Sequence, residues 1–280
     1  MSGEGSGART LPAGLPCWVE LASQDETAAQ RFYSGLFGWQ YELRRDPATP
    51  TGRYGISSLE GVPTGGLYQA GARSVLGWTL HISVPNTATA AEWVEHLGGE
   101  LTLGPVPIPD RGSILHATDA CGAPIVFWQT PPDWRFATGT PGAFSGADLN
   151  THDGVSADHF YTKLFSYSSR QVGDGDSVDY AEYSLDREPM LYRYVMGPEY
   201  ERGTPPHWLV YFEVSPARGA DATAGQALML GGSVVIEPYD TPFGRTALLA
   251  DPDGSVFGVI DHSRVLQGVG RAEVDDPYDD

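Results

Sequence analysis

The chain repeats itself, and that repeat limits its fold more than any other feature. Asp25, Ala28, Phe32-Tyr33 and Leu36-Phe37 recur as Asp153, Ser156, Phe160-Tyr161 and Leu164-Phe165, at a constant offset of 128. Further on, Trp78-Thr79-Leu80-His81-Ile82-Ser83-Val84 resembles Trp208-Leu209-Val210-Tyr211-Phe212-Glu213-Val214, and Leu97-Gly98-Gly99 resembles Leu230-Gly231-Gly232. Asp119, Gly122 and Ile125 then match Asp251, Gly254 and Phe257. Because the order is kept throughout, the pattern reads as a duplicated domain. A length of 280 residues suits two domains of ordinary size. The expected division is a flexible start over 1–14, domains at 15–132 and 141–265, a linker at 133–140 within a Pro/Gly/Thr-rich stretch, and an acidic tail over 266–280.

Each half divides again into two units of strand, amphipathic helix and three strands. Ala29, Phe32, Tyr33, Leu36 and Phe37 form an apolar stripe at helical spacing, with Asp25 as N-cap and Gly38 as the stop. The second unit repeats this with Asn86, then Ala90, Trp93, Val94, Leu97 and Gly98-Gly99. In the second half Ala157, Phe160, Tyr161, Leu164 and Phe165 follow the same spacing. The aromatic residues of these stripes are read as core. Downstream, Tyr54–Leu59, Gly65–Tyr68, Ile114–Thr118 and Ile125–Gln129 are strand-like runs broken by glycine and proline. The class is therefore α+β.

Composition narrows the function. A net charge of −19 argues against a nucleic-acid or anionic-membrane partner, because affinity for phosphates comes from lysine and arginine. No run reaches the roughly 20 apolar residues of a membrane helix. The glycine-rich start lacks a signal-peptide core, so a cytoplasmic protein is expected. Cys17 and Cys121 are too few for a disulfide framework or a zinc site. No glycine-rich nucleotide loop, Gly-x-Ser-x-Gly or Cys-x-x-Cys is present, and no cofactor is expected.

The opening Trp18-Val19-Glu20-Leu21-Ala22-Ser23-Gln24-Asp25, with Phe32-Tyr33 and Leu36-Phe37-Gly38-Trp39, resembles that of the vicinal oxygen chelate superfamily. This group includes glyoxalase I, the extradiol dioxygenases and the bleomycin-resistance proteins. Asp251-Pro252-Asp253-Gly254-Ser255-Val256-Phe257-Gly258 resembles its closing turn and strand. The resemblance implies two tandem glyoxalase-like domains, each of two βαβββ modules curving into a cup. It also implies metal ligands at Trp18, Thr79 and Val126 in the first half and at Gly146, Leu209 and Gly258 in the second, where no usual ligand stands. A divalent metal needs about three donors around an open position, so a metal-independent protein is expected. A rebuilt centre would have to draw on His81, His116, Glu20 or His207.

Side chains alternate along a strand, so Glu20 should share a cup face with position 18 and His81 with Thr79. Glu20 with His81, and their counterparts Asp148 with Tyr211, are the candidate acid/base residues. Trp18, Tyr54, Thr79, His116, Trp128, Asn150, Trp208 and Glu213 are candidate ligand contacts; the indoles and Tyr54 could stack on an aromatic ligand. Arg111 and Arg245 are read in glycine-containing turns before the third strand of their units, where a turn-stabilising or carboxylate-binding role is open. The reading favours a tailoring enzyme of secondary metabolism that isomerises, cyclises, eliminates or hydrates a partly aromatic substrate. The alternative is a protein that binds or sequesters a small molecule such as an antibiotic. Monomer and homodimer are both compatible with the tandem arrangement.

Overall fold

The computed structural model describes residues 10–72, 74–175 and 178–265. The expected acidic tail at 266–280 and most of the expected flexible start lie outside this range. The first half runs β1 (Pro16–Ser23), α1 (Glu26–Phe37), β2 (Gln40–Arg45), β3 (Arg53–Leu59), β4 (Val62–Gln69), β5 (Gly77–Ser83), α2 (Thr87–His96), β6 (Glu100–Ile108), β7 (Gly112–Thr118) and β8 (Pro124–Gln129). The second half repeats this order as β9 (Phe144–Thr151), α3 (Gly154–Phe165), β10 (Ser168–Gln171), β11 (Tyr180–Leu185), β12 (Glu188–Val195), β13 (His207–Glu213), α4 (Gly219–Met229), β14 (Ser233–Thr241), β15 (Gly244–Ala250) and β16 (Val256–Asp261).

Each half forms one eight-stranded sheet. The orders are β2-β3-β4-β1-β5-β8-β7-β6 and β10-β11-β12-β9-β13-β16-β15-β14, so the two halves have the same topology. In both, the first strands of the two modules lie antiparallel at the centre, and each is flanked by the parallel last strand of its own module. This brings residues of β1, β5 and β8, or of β9, β13 and β16, onto one central surface.

The helices begin and end where the local chemistry directs. Asp25 accepts from the backbone N–H groups of Thr27 and Ala28, and Asp153 from that of Ser156. Gly38 closes α1 at φ 79°, a left-handed conformation that favours glycine. The stripes of α1 and α3 are buried as expected, with Phe32, Tyr33, Phe160 and Tyr161 no more than 1% exposed. Trp93 is an exception to the core reading: it is 46% exposed and packs edge-on against His96.

One continuous apolar core spans both halves. Helix α1 packs near α4, α2 near α3, and β5 touches β13. Two reciprocal hydrogen bonds cross the junction: Tyr33 donates to Asp251 at 3.1 Å, and Tyr161 to Asp119 at 2.9 Å. Each aspartate also accepts two backbone N–H groups in its own turn. The sheet faces directed away from this core form the two cups. No helix among the described residues is long and apolar enough to cross a membrane.

Candidate functional site

Alternation decides which residues face each cup. Val19, Leu21, Leu80, Ile82, Leu115, Ala117, Ile125 and Phe127 belong to the core. Trp18, Glu20, Thr79, His81, His116, Val126 and Trp128 therefore line the opposite face. In the second half Leu149, Trp208, Val210 and Phe212 are core, which places Asp148, Leu209 and Tyr211 in the cup. Trp208 is thus a correction. It packs against Tyr161 at 5.5 Å on the core side, because it is out of phase with Tyr211 by an odd number of residues.

In the first cup Glu20 accepts a hydrogen bond from Tyr54 at 2.6 Å, and Tyr54 in turn accepts from the Trp18 indole at 2.9 Å. The Tyr54 hydroxyl lies over Gly66, the β4 partner of Glu20, where a Cβ would fall 1.8 Å away. Burial pushes Glu20 up to about 7, against the lowering effect of the Tyr54 hydrogen bond. Glu20 and His81 share the face, but the structure does not join them. Glu20 pairs with Thr79, whereas His81 pairs with Trp18, and no hydrogen bond or ion pair links the two side chains. Burial, with a smaller effect of His116, holds His81 down at about 3, so the ring is uncharged.

The second cup brings its expected pair together. Tyr211 donates to Asp148 Oδ2 at 2.9 Å and Tyr180 to Oδ1 at 3.0 Å. Burial raises Asp148 to about 6, with both tyrosine hydrogen bonds opposing the shift. Tyr211 lies between Gly146 on β9 and Gly258 on β16. Its ring covers Gly258, where a Cβ would stand 2.1 Å from Cδ1, while a Cβ on buried Gly146 would meet nothing within 4 Å. Around this carboxylate stand Tyr192, Tyr200 and Tyr239, whose hydroxyls are pushed up in part by its charge. Tyr180 stacks on Tyr192 at 5.6 Å, and both rings pack against Phe243. Asn150 accepts from Tyr200 at 2.8 Å. Glu213 instead accepts from Ser145 and lies 3.3 Å from His262.

Tyr180 was not singled out from sequence. The strand registers make it the equivalent of Tyr54: each lies two residues before the β3 or β11 residue that pairs with the neighbour of the cup carboxylate. Extending the internal repeat through the variable β2–β3 region would have found it.

The metal centre implied by the superfamily can be tested against this donor set. Of Trp18, Thr79, Val126, Gly146, Leu209 and Gly258, only Thr79 carries a side-chain oxygen. The Tyr211 ring fills the space over Gly258. Among the described residues no three His, Cys, Asp or Glu are grouped to hold a metal ion. These residues do not fit the superfamily's centre.

No protein-family model matches the chain. It is 30% identical over 260 residues to the "Putative glyoxylase CFP32" of Mycobacterium bovis, covering 88% of this chain and 94% of that protein. It is 31% identical over 270 residues to the anthracycline biosynthesis protein DauV of Streptomyces sp. strain C5, covering 89% and 93%. Among solved structures, the Mn(II)-bound glyoxalase from Novosphingobium aromaticivorans superposes with a TM-score of 0.63 at 13% identity, covering 91% and 83%. The 2,3-dioxygenase LapB from Pseudomonas sp. KL28 does so with 0.60 at 14% identity, covering 90% and 93%. Fold, tandem topology and full-length relatives agree, and the chain belongs to the vicinal oxygen chelate superfamily, in a tandem two-domain branch with CFP32 and DauV.

Proposed function

We propose that this protein is a metal-independent enzyme of secondary metabolism that moves a proton on a partly aromatic substrate in its second cup. The observation that carries this reading is Asp148, held between the Tyr180 and Tyr211 hydroxyls beside the open space over Gly146. A carboxyl group raised to about 6 is divided between acid and base forms near neutral pH, which suits general acid/base work. Asp148 takes the proton from a carbon next to a carbonyl; once the carboxyl is protonated, the tyrosine hydroxyl beside its new O–H accepts from it and turns its own single proton to the carbonyl oxygen where charge develops. The proton then returns at a second position, giving isomerisation, or leaves with a departing group, giving elimination. Partly exposed Tyr192, Tyr194 and Tyr200 offer aromatic surface for a flat substrate. The relationship to anthracycline biosynthesis proteins supports a polyketide-like substrate.

The test is incubation with a panel of anthracyclinone-type polyketides in deuterated water, followed by mass spectrometry. Deuterium uptake or conversion that is lost in Asp148→Asn supports the reading. Turnover unchanged in that variant sinks it.

A second reading, retention of a small molecule without turnover, is favoured by the first cup, where Glu20 and His81 are not paired. A ligand that co-purifies, stays bound in native mass spectrometry and is never converted would favour it.

A further inference from the structure

The ends of three central strands in the second half bring a hydroxyl, an imidazole and a carboxyl group together. Ser145 is the second residue of β9, Glu213 is the last of β13, and His262 follows the end of β16. Ser145 Oγ lies 2.9 Å from His262 Nε2 and 3.1 Å from Glu213 Oε2, and Nε2 is 3.3 Å from the same carboxyl oxygen. The cluster stands at the strand ends rather than over the cup. Glu213 is about 7 Å along β13 from Tyr211, and Ser145 about 10 Å along β9 from Asp148. Phe243 touches both places: its ring packs on Tyr180 and Tyr192, while its carbonyl accepts from His262 Nδ1 at 2.7 Å.

These contacts fix where the protons sit. A carbonyl oxygen only accepts, so Nδ1 carries a hydrogen and the neutral ring keeps Nε2 as its acceptor. Ser145 has one proton, which goes to Glu213 while His262 is charged and to Nε2 once the ring is neutral. A hydroxyl donating to an imidazole whose other nitrogen is anchored is the arrangement that activates a serine nucleophile. Glu213 lies beside the nitrogen that receives the proton, so its carboxylate stabilises the imidazolium that forms. Burial raises the Glu213 carboxyl, and the charge of His262 is first among the effects that oppose the shift.

The shared topology of the halves does not require this trio. The equivalent positions in the first half are Cys17, Ser83 and Thr130. Cys17 is fully buried, and Ser83 uses its hydroxyl on the backbone of Pro12 and Leu15. The second-half cluster is reachable from solvent: the His262 side chain is 48% exposed and Ser145 is half-buried. Glu213 also lines a cleft of about 500 Å³ at the junction of the halves, walled by Phe37, Pro141, Val214 and Arg218.

We infer that Ser145 is a nucleophile toward small carboxylic esters, with His262 as its base and Glu213 as a positioning residue, in a site separate from the Asp148 cup. Ser145 Oγ attacks the ester carbonyl carbon while its proton passes to His262 Nε2. The bond from that carbon to the alkoxy oxygen breaks, and the imidazolium gives the proton to the departing oxygen, releasing an alcohol. Water then attacks the acyl-serine and gives a proton to His262. The bond to Oγ breaks, Ser145 recovers the proton, and a carboxylic acid leaves. One ester and one water are consumed, with no change of oxidation state.

The test treats the full chain with an alkyl fluorophosphonate and, separately, with p-nitrophenyl acetate, and maps each adduct by peptide mass spectrometry. Both reagents should modify Ser145 in the native protein, and p-nitrophenolate should be released. The adduct should be absent in Ser145→Ala and in native chain unfolded with urea. His262→Gln should slow labelling on the order of 100-fold, the usual worth of a positioned base. Glu213→Gln should move the pH midpoint of the labelling rate downward, which a merely structural carboxyl would not do. No adduct on the native chain, an adduct on another residue only, or an equal rate in His262→Gln or in urea would overturn the proposal, as would a midpoint unmoved in Glu213→Gln. Chemistry at Asp148 does not enter these readouts, so the two assignments fail separately.

Discussion

The Tyr211 ring lies so close over Gly258 that a single added methyl at the glycine would stand 2.1 Å from Cδ1. The superfamily resemblance puts a metal-binding glutamate at this position, and here its absence makes room for the phenol that reaches Asp148. Gly258→Ala is therefore expected to displace Tyr211 and break its 2.9 Å hydrogen bond. Loss of that bond removes one of the effects holding the Asp148 pKa down, so the carboxyl should titrate higher than about 6. Overpacking and the lost bond together should cost about 1–4 kcal/mol. Carbon-detected NMR of the Asp148 carboxyl and urea unfolding measure the two effects.

Asp148 also gives stability a defined pH dependence. Its pKa is raised on folding from 3.8 to about 6, so the native state binds more protons than the unfolded state between those values. Stability from this group is therefore greatest below about pH 4 and falls as pH rises toward 6. Asp148→Asn cannot titrate. Relative to the variant, the native protein should lose on the order of 1–3 kcal/mol between pH 4 and pH 7. Parallel urea titrations at the two pH values check this, and equal slopes for both proteins would contradict it.

The two halves are tied by hydrogen bonds that can be cut without changing shape. Tyr33→Phe frees Asp251 Oδ2, and Tyr161→Phe frees Asp119 Oδ2, leaving each buried aspartate with only its own turn's backbone donors. Each substitution should lower stability by about 1–3 kcal/mol, the cost of an unpaired buried oxygen. Chemical denaturation curves should shift their midpoint and keep their slope. Because the core is continuous, both halves should still unfold in one transition.

The sequence revealed the duplication, the helices and the carboxylates because these depend on local rules. Asp25 and Asp153 cap helices by hydrogen bonds within three residues, and the Phe-Tyr stripes follow the helical period. Strands β2 and β6 are mostly exposed sheet edges with little apolar alternation, so their exact spans were not legible. Residue type alone groups Trp208 with Trp18 as a cup contact, yet Trp208 lies one residue from the cup-facing Leu209 and so points into the core. Pairing of Glu20 with His81 failed for a related reason. Alternation places both on one face but leaves the cross-strand register open, and the register sets Glu20 against Thr79. The roles of Gly66 and Gly258 are long-range, created by tyrosines on neighbouring strands.

Tyr54 and Tyr180 are equivalent residues with unequal consequences. In the first cup Glu20 accepts its one side-chain hydrogen bond from Tyr54, whereas Asp148 has both Tyr180 and Tyr211. Tyr54→Phe should therefore drive Glu20 well above about 7, since burial would act without its main opposing hydrogen bond. It also strands the Trp18 indole N–H, which donates to the same hydroxyl, so stability should fall by about 1–3 kcal/mol. Tyr180→Phe leaves Asp148 with Tyr211 and should move its titration less. Carboxyl NMR titrations of both variants compare the shifts directly, and a larger movement of Asp148 than of Glu20 would show that the second hydroxyl does not compensate.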